Sequence, residues 1–170
     1  MAAAGALFLA FIPVTSSPAA ANGLFQTAID ALLAAIPGTP PVTPACTIPA
    51  LSAFHIFYNF AATGAASTAG LKASREEGLD NTHARKDVNN ITGLPPRLRS
   101  AHNNTMEAFP GFLVPANQTL INLLGLHDLP KSFVQHPAYI VDIAPLRSVA
   151  HFVATASVIN VAWQVATGAH

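Results

Sequence analysis

Charge is what this sequence has least of. Of its 170 residues only 9% are Asp, Glu, Lys or Arg, against 51% hydrophobic, whereas a soluble domain carries roughly a quarter charged residues. So few charges cannot cover a water-facing surface, so the composition excludes an ordinary soluble globule and predicts an integral membrane protein. Net charge is zero, and no Lys/Arg cluster of the kind that tracks a phosphate backbone occurs, which argues against a nucleic-acid partner. A single cysteine, Cys46, excludes an intramolecular disulfide and any cysteine-based metal cluster. It reads as small apolar filler.

The charges that are present are segregated. Asp30 is the only one between Met1 and Leu71, and ten of the sixteen fall between Lys72 and Arg99. Long uncharged stretches beside one charged loop predict membrane spans. Thr47 to Leu71 is the first, long enough at about 1.5 Å per residue to cross a hydrocarbon core of roughly 30 Å with some tilt. After the loop Lys72 to Pro96, a helix opening at Pro96 continues through Leu124, kinked at Pro110 and Pro115. A turn is expected at Gly125 to Pro130, then a short third stretch, Phe133 to Ala144, and a fourth from Val149 to Ala166 carrying an interfacial Trp163. Ahead of these, Ala2 to Val14 has the outline of a signal peptide without a basic residue in front. Leu24 to Ile36 is apolar but too short to span, and Pro37, Pro40, Pro41 and Pro44 form a linker on the membrane surface.

The expected fold is therefore all-α: an integral membrane four-helix bundle over residues 47–170, with an additional N-terminal apolar segment and linker over 1–46. Six of the eight Lys and Arg lie between the first two spans, which makes that loop cytosolic. The third span then returns to the same face near Tyr139 to Arg147, bringing two distant polar sequences to one end.

Ionisable groups inside spans are costly and mark sites. At 100° per residue Asn104 lies about 20° around its helix from Arg97 and about 60° from Glu107, so these three share a face. Arg99 points elsewhere, towards lipid headgroups or an acidic neighbour. A carboxylate as deep as Glu107 calls for a cation from another helix. His102 and His151 read as hydrogen-bonded interior histidines. His55 and Asn59, four apart on the first span, could be a zinc or catalytic pair, but with no third ligand nearby in sequence a buried interhelical hydrogen bond is the reading adopted and no metal is expected. Asn90, Asn103 and Asn117 each begin an Asn-x-Thr pattern, which a cytosolic or helical setting keeps from glycosylation.

Ser100-Ala-His-Asn-Asn-Thr-Met-Glu-Ala-Phe-Pro110 resembles the second-helix signature of the MAPEG superfamily, the membrane-associated proteins in eicosanoid and glutathione metabolism. Leu79-Asp-Asn-Thr-His-Ala-Arg85 is similar to a loop of one branch, and His136-Pro-Ala-Tyr-Ile-Val-Asp-Ile-Ala-Pro-Leu-Arg-Ser148 to the end of its third helix. The resemblance covers roughly Ala50 to Gly168. It implies a homotrimer in the endoplasmic-reticulum or cytoplasmic membrane, with glutathione as co-substrate held between subunits at the cytosolic end. It further implies that Asn104 and Glu107 bind the glutathione backbone, that Tyr139 contacts the peptide and that Arg147 stands near the sulfur. Arg147 is then the catalytic residue, stabilising a thiolate that attacks a hydrophobic electrophile as transferase or peroxidase. Two departures exist. Ser100 stands where the family has Arg, a role Arg97 could take, and the chain is short between Gly125 and His136. Both favour the alternative implied by the family, a non-catalytic member that binds lipid or acts as a scaffold.

Overall fold

The computed structural model describes residues 10–17, 24–36, 41–74, 91–107 and 117–168, and every regular element among them is helical. We label these α1 (residues 10–17), α2 (Leu24–Ala34), α3 (Pro44–Ala73), α4 (Leu94–Met106), α5 (residues 118–140) and α6 (Ala144–Thr167). The loop motif Leu79 to Arg85 and the kink prolines Pro110 and Pro115 lie outside the described residues.

α3 and α6, of 30 and 24 residues, are long and apolar enough to cross a membrane. α3 starts as a 3-10 turn at Pro44–Cys46, is α-helical over Thr47–Phe57, widens to π turns over Tyr58–Gly64 and tightens again over Ala65–Ala73. The wider turns slow the rotation of successive side chains, and residues spaced by four stay on one side. That side is polar and buried: His55, Asn59, Thr63 and Ser67 all face the protein. Phe57 and Phe60, by contrast, are 67% and 61% exposed. A helix that hides its polar stripe and shows its phenylalanines is turned inside out relative to a water-soluble helix. Cys46, expected as filler, is exposed at the start of this helix.

The second and third stretches divide differently from the sequence expectation. α4 stops at Met106, while Leu120, Ile121 and Leu124 belong to α5, which runs on through Gln118–Pro130, π turns at Lys131–Gln135 and a last turn at His136–Ile140. Gly125 to Pro130 is thus helix interior and not a turn. Asn117 explains the new start, its side chain accepting the Leu120 amide at 2.8 Å as an N-cap. Gly125 is there for close approach: a Cβ on it would stand 2.6 Å from Ile29 Cδ1 of α2. The third rod is thus longer than expected, running over residues 118–140, although among the described residues only α3 and α6 are long and apolar enough to cross a membrane.

The apolar core gathers Ile29, Leu51, Leu120, Leu123 and Leu124 from α2, α3 and α5. α5 packs along α6, and α4 along the second half of α3. There Gly70 lies against Leu98 and Pro95, and Gly64 against His102. α1 docks on α6 through stacked Phe11 and Phe152 and an Asn160 side chain that donates to Ser16 Oγ at 2.7 Å. Between α5 and α6 the chain turns at Asp142, whose φ of 61° is tolerated by Asp better than by most residues.

Candidate functional site

The turn at Asp142 brings the end of α5 and the start of α6 against α4. Asp142 is the hub. Its Oδ2 lies 2.9 Å from Arg97 Nη1 of α4 and its Oδ1 3.2 Å from Arg147 Nη1 of α6. The Arg147 guanidinium sits over the Tyr139 ring, 4.7 Å from its centroid, a cation–π contact. The Tyr139 hydroxyl accepts a hydrogen bond from the Asn104 side chain. Four residues singled out in the sequence, Arg97, Asn104, Tyr139 and Arg147, therefore form one connected chain of contacts with Asp142. Asn104, Tyr139 and Arg147 also line a cleft of about 230 Å³ with Gln135, Ser148, His151 and Phe152.

Glu107 stands apart from this group. It caps the C-terminal end of α4 and is exposed, not sunk in a longer span. It lines a neighbouring cavity of about 280 Å³ with His127, Lys131, His151 and Thr155. An exposed carboxylate does not need the buried cation expected for it; Lys131 of α5 acts on Glu107 only through space, while its Nζ donates to the Asn104 carbonyl at 2.6 Å. The two cavities share His151 and are flanked by Asn104 and Lys131. His102 lies 3.0 Å from Thr63 Oγ1 through its Nδ1, an interhelical contact between α3 and α4.

Several working residues escaped the sequence reading. Asp142 has a signal in the sequence, since a lone carboxylate five residues before Arg147 is a ready partner. Lys131 carried a stronger signal, a lysine in an apolar stretch far from the charged loop. His127 and Asp128 were hidden inside the expected turn. They join His55 at mid-bundle, where His55 Nδ1 is 2.7 Å from Asp128 Oδ1 and both side chains are buried. The interhelical hydrogen bond expected of His55 is therefore present, made to Asp128.

At the opposite end a cleft of about 520 Å³ is lined by Gln26, Asp30, Pro41, Thr47 and Gln118 among others. It is roomier, but among the described residues its lining has one carboxylate, already accepting from Gln26 at 2.6 Å, and no base. Acid–base or thiolate chemistry is better served by the Arg97–Arg147 end. No family model, curated protein or solved structure matches this chain.

Proposed function

We propose that the chain is an integral membrane protein of MAPEG type that holds glutathione at the Arg97–Arg147 end and uses its thiolate against a hydrophobic electrophile from the bilayer. The membrane part of the reading is supported by two apolar helices of spanning length, about a third of each buried within the protein, and by the inverted polarity of α3. The core helix of a soluble protein would be mostly buried.

The observation that carries the glutathione reading is the convergence of Asn104, Tyr139 and Arg147 on one cleft. These residues come from three helices, and the resemblance names all three. A thiol with an unperturbed pKa of about 8.5 is a poor nucleophile at neutral pH, and an adjacent guanidinium favours its thiolate. What supports this role for Arg147 is that its guanidinium lies over the Tyr139 ring beside the cleft. The thiolate would then form a thioether at an electrophilic carbon whose leaving group departs with the bonding pair, or a sulfenic acid at a peroxide oxygen as the O–O bond breaks and the alkoxide leaves with a proton from water. The cleft is smaller than the roughly 300–1,000 Å³ usual for small-molecule sites. That size suits a site shared between subunits of a trimer, in which Glu107 and the Tyr139–Arg147 cleft need not come from the same chain.

A second reading, a lipid-binding or scaffolding protein without chemistry, is favoured by one feature. Asp142 occupies both arginines that would meet a glutathione carboxylate or thiolate, and Ser100 adds no third. Calorimetry of glutathione with detergent-purified protein, with the thiolate ultraviolet absorbance followed in parallel, separates the two. Saturable binding with a thiolate signal that Arg147→Ala abolishes supports the enzyme. Absence of binding by folded, oligomeric protein leaves the scaffold.

A further inference from the structure

Midway along the bundle the side chains of His55, His127 and Asp128 meet. All three are buried, and one donor atom of each lies within 4.8 Å of the other two. His127 Nδ1 is 3.0 Å from the Ala154 carbonyl of α6. A carbonyl can only accept, so Nδ1 of His127 carries the proton and Nε2 the lone pair. Metal-binding imidazoles are oriented in this way, one nitrogen tied to a backbone carbonyl and the other presented to the ion. Asp128 gives a second, independent signal. Its Oδ2 is buried and accepts no hydrogen bond among the described residues, an arrangement that is costly for a polar atom in a dry interior. Lys131 acts on Asp128 only through space, because its Nζ is directed at the Asn104 carbonyl.

We propose that His55, His127 and Asp128 bind a divalent transition-metal ion of the zinc class, tying α3 to α5. Two imidazoles and a carboxylate form a donor set that such ions accept, with a fourth position left for water. Bonds of about 2.0–2.1 Å in a tetrahedron put donors roughly 3.3 Å apart, so the three would have to draw in by at most about 1.5 Å. Access exists, since His127 lines the cavity of about 280 Å³ that Glu107 shares.

The surrounding backbone is consistent with a built site. The π turns of α3 begin at Tyr58, three residues after His55, and those of α5 begin at Lys131, three residues after Asp128. The two widened segments are joined where the Tyr58 hydroxyl donates to the Ser132 carbonyl at 2.7 Å. Such interruptions within α-helices are frequent at functional sites. The proposal stands independently of glutathione, and either can fail alone.

The test is titration of detergent-purified, chelator-stripped protein with Co²⁺, its fold verified by circular dichroism. A single equivalent should bind with the visible bands of tetrahedral cobalt and be displaced by Zn²⁺. His55→Gln and His127→Gln should each weaken binding by at least about tenfold, while His102→Gln, outside the cluster, should leave it unchanged. Folded wild-type protein that takes up no Co²⁺, or cobalt binding that survives both cluster substitutions, overturns the proposal. If the variants do not fold, the wild-type titration alone decides, because an octahedral spectrum or several weak equivalents mean surface binding.

Discussion

Asp142 and Asp128 are the same residue type on or just beyond the same helix, yet they sit in different solvents. Asp142 is 58% exposed at the α5–α6 turn and divides its oxygens between two arginines. Asp128 is fully buried, with one oxygen on His55 and the other accepting no hydrogen bond among the described residues. In water an ion pair is worth little and its partners exchange easily. In a dry interior each polar atom has to be met, and removing one partner is expensive. The wet cluster can therefore release its arginines to an incoming anion, while the dry cluster is committed to holding helices in place.

That contrast breaks most readily at Asp128. Asp128→Ala should destabilise the protein by about 2–3 kcal/mol, the worth of a buried hydrogen bond to a charged group. Asp142→Ala should cost less than about 1 kcal/mol. Denaturant unfolding in one detergent measures both, and equal losses would mean that the two sites are not energetically distinct. The packing around the dry side is probed by Gly125→Val, which drives a branched side chain into Ile29 starting from its Cβ. A loss of about 1–3 kcal/mol is expected, with partial recovery in the double variant with Ile29→Ala. No recovery would place the strain elsewhere on α5.

On the wet side the effects are smaller. Asp142→Asn keeps a residue that tolerates positive φ and frees Arg97 and Arg147 from their carboxylate. Glutathione affinity should then rise by about fivefold, corresponding to about 1 kcal/mol. A fall would mean that Asp142 positions the arginines and does not compete for them. Added salt should weaken glutathione binding measurably, because exposed charges are screened, and should leave cobalt binding at mid-bundle almost unaffected. Equal salt dependence would show both sites to be solvent-accessible.

The long rods were legible because their signal is local. Residues 47–71 and 149–166 are uncharged over spanning length, and the observed helices extend those limits by a few residues at the ends. The meeting of Arg97 with the Tyr139–Arg147 segment was also expected, from a layout of alternating spans, and Arg97 does reach Asp142 although the helices between them divide differently. The division between α4 and α5 was not. Gly125, His127, Asp128 and Pro130 have the composition of a turn. What makes them helix is nonlocal: Ile29 filling the glycine notch, His55 meeting Asp128, and Ala154 receiving His127. The π turns of α3 and α5 left no mark in the sequence for the same reason. They are joined through Tyr58 and Ser132, which are 74 residues apart.

The notch at Gly125 also constrains the order in which the molecule is made. Gln26 of α2 and Gln118 of α5, hydrogen bonded at 3.0 Å, are 92 residues apart. A ribosome adding about 5–20 residues per second needs several seconds to bridge that gap. Throughout that interval α2 is complete while the surface that receives Ile29 does not yet exist. α2 is therefore made well before the surface that locks it down, and the notch side of its contact stays unfilled until α5 emerges.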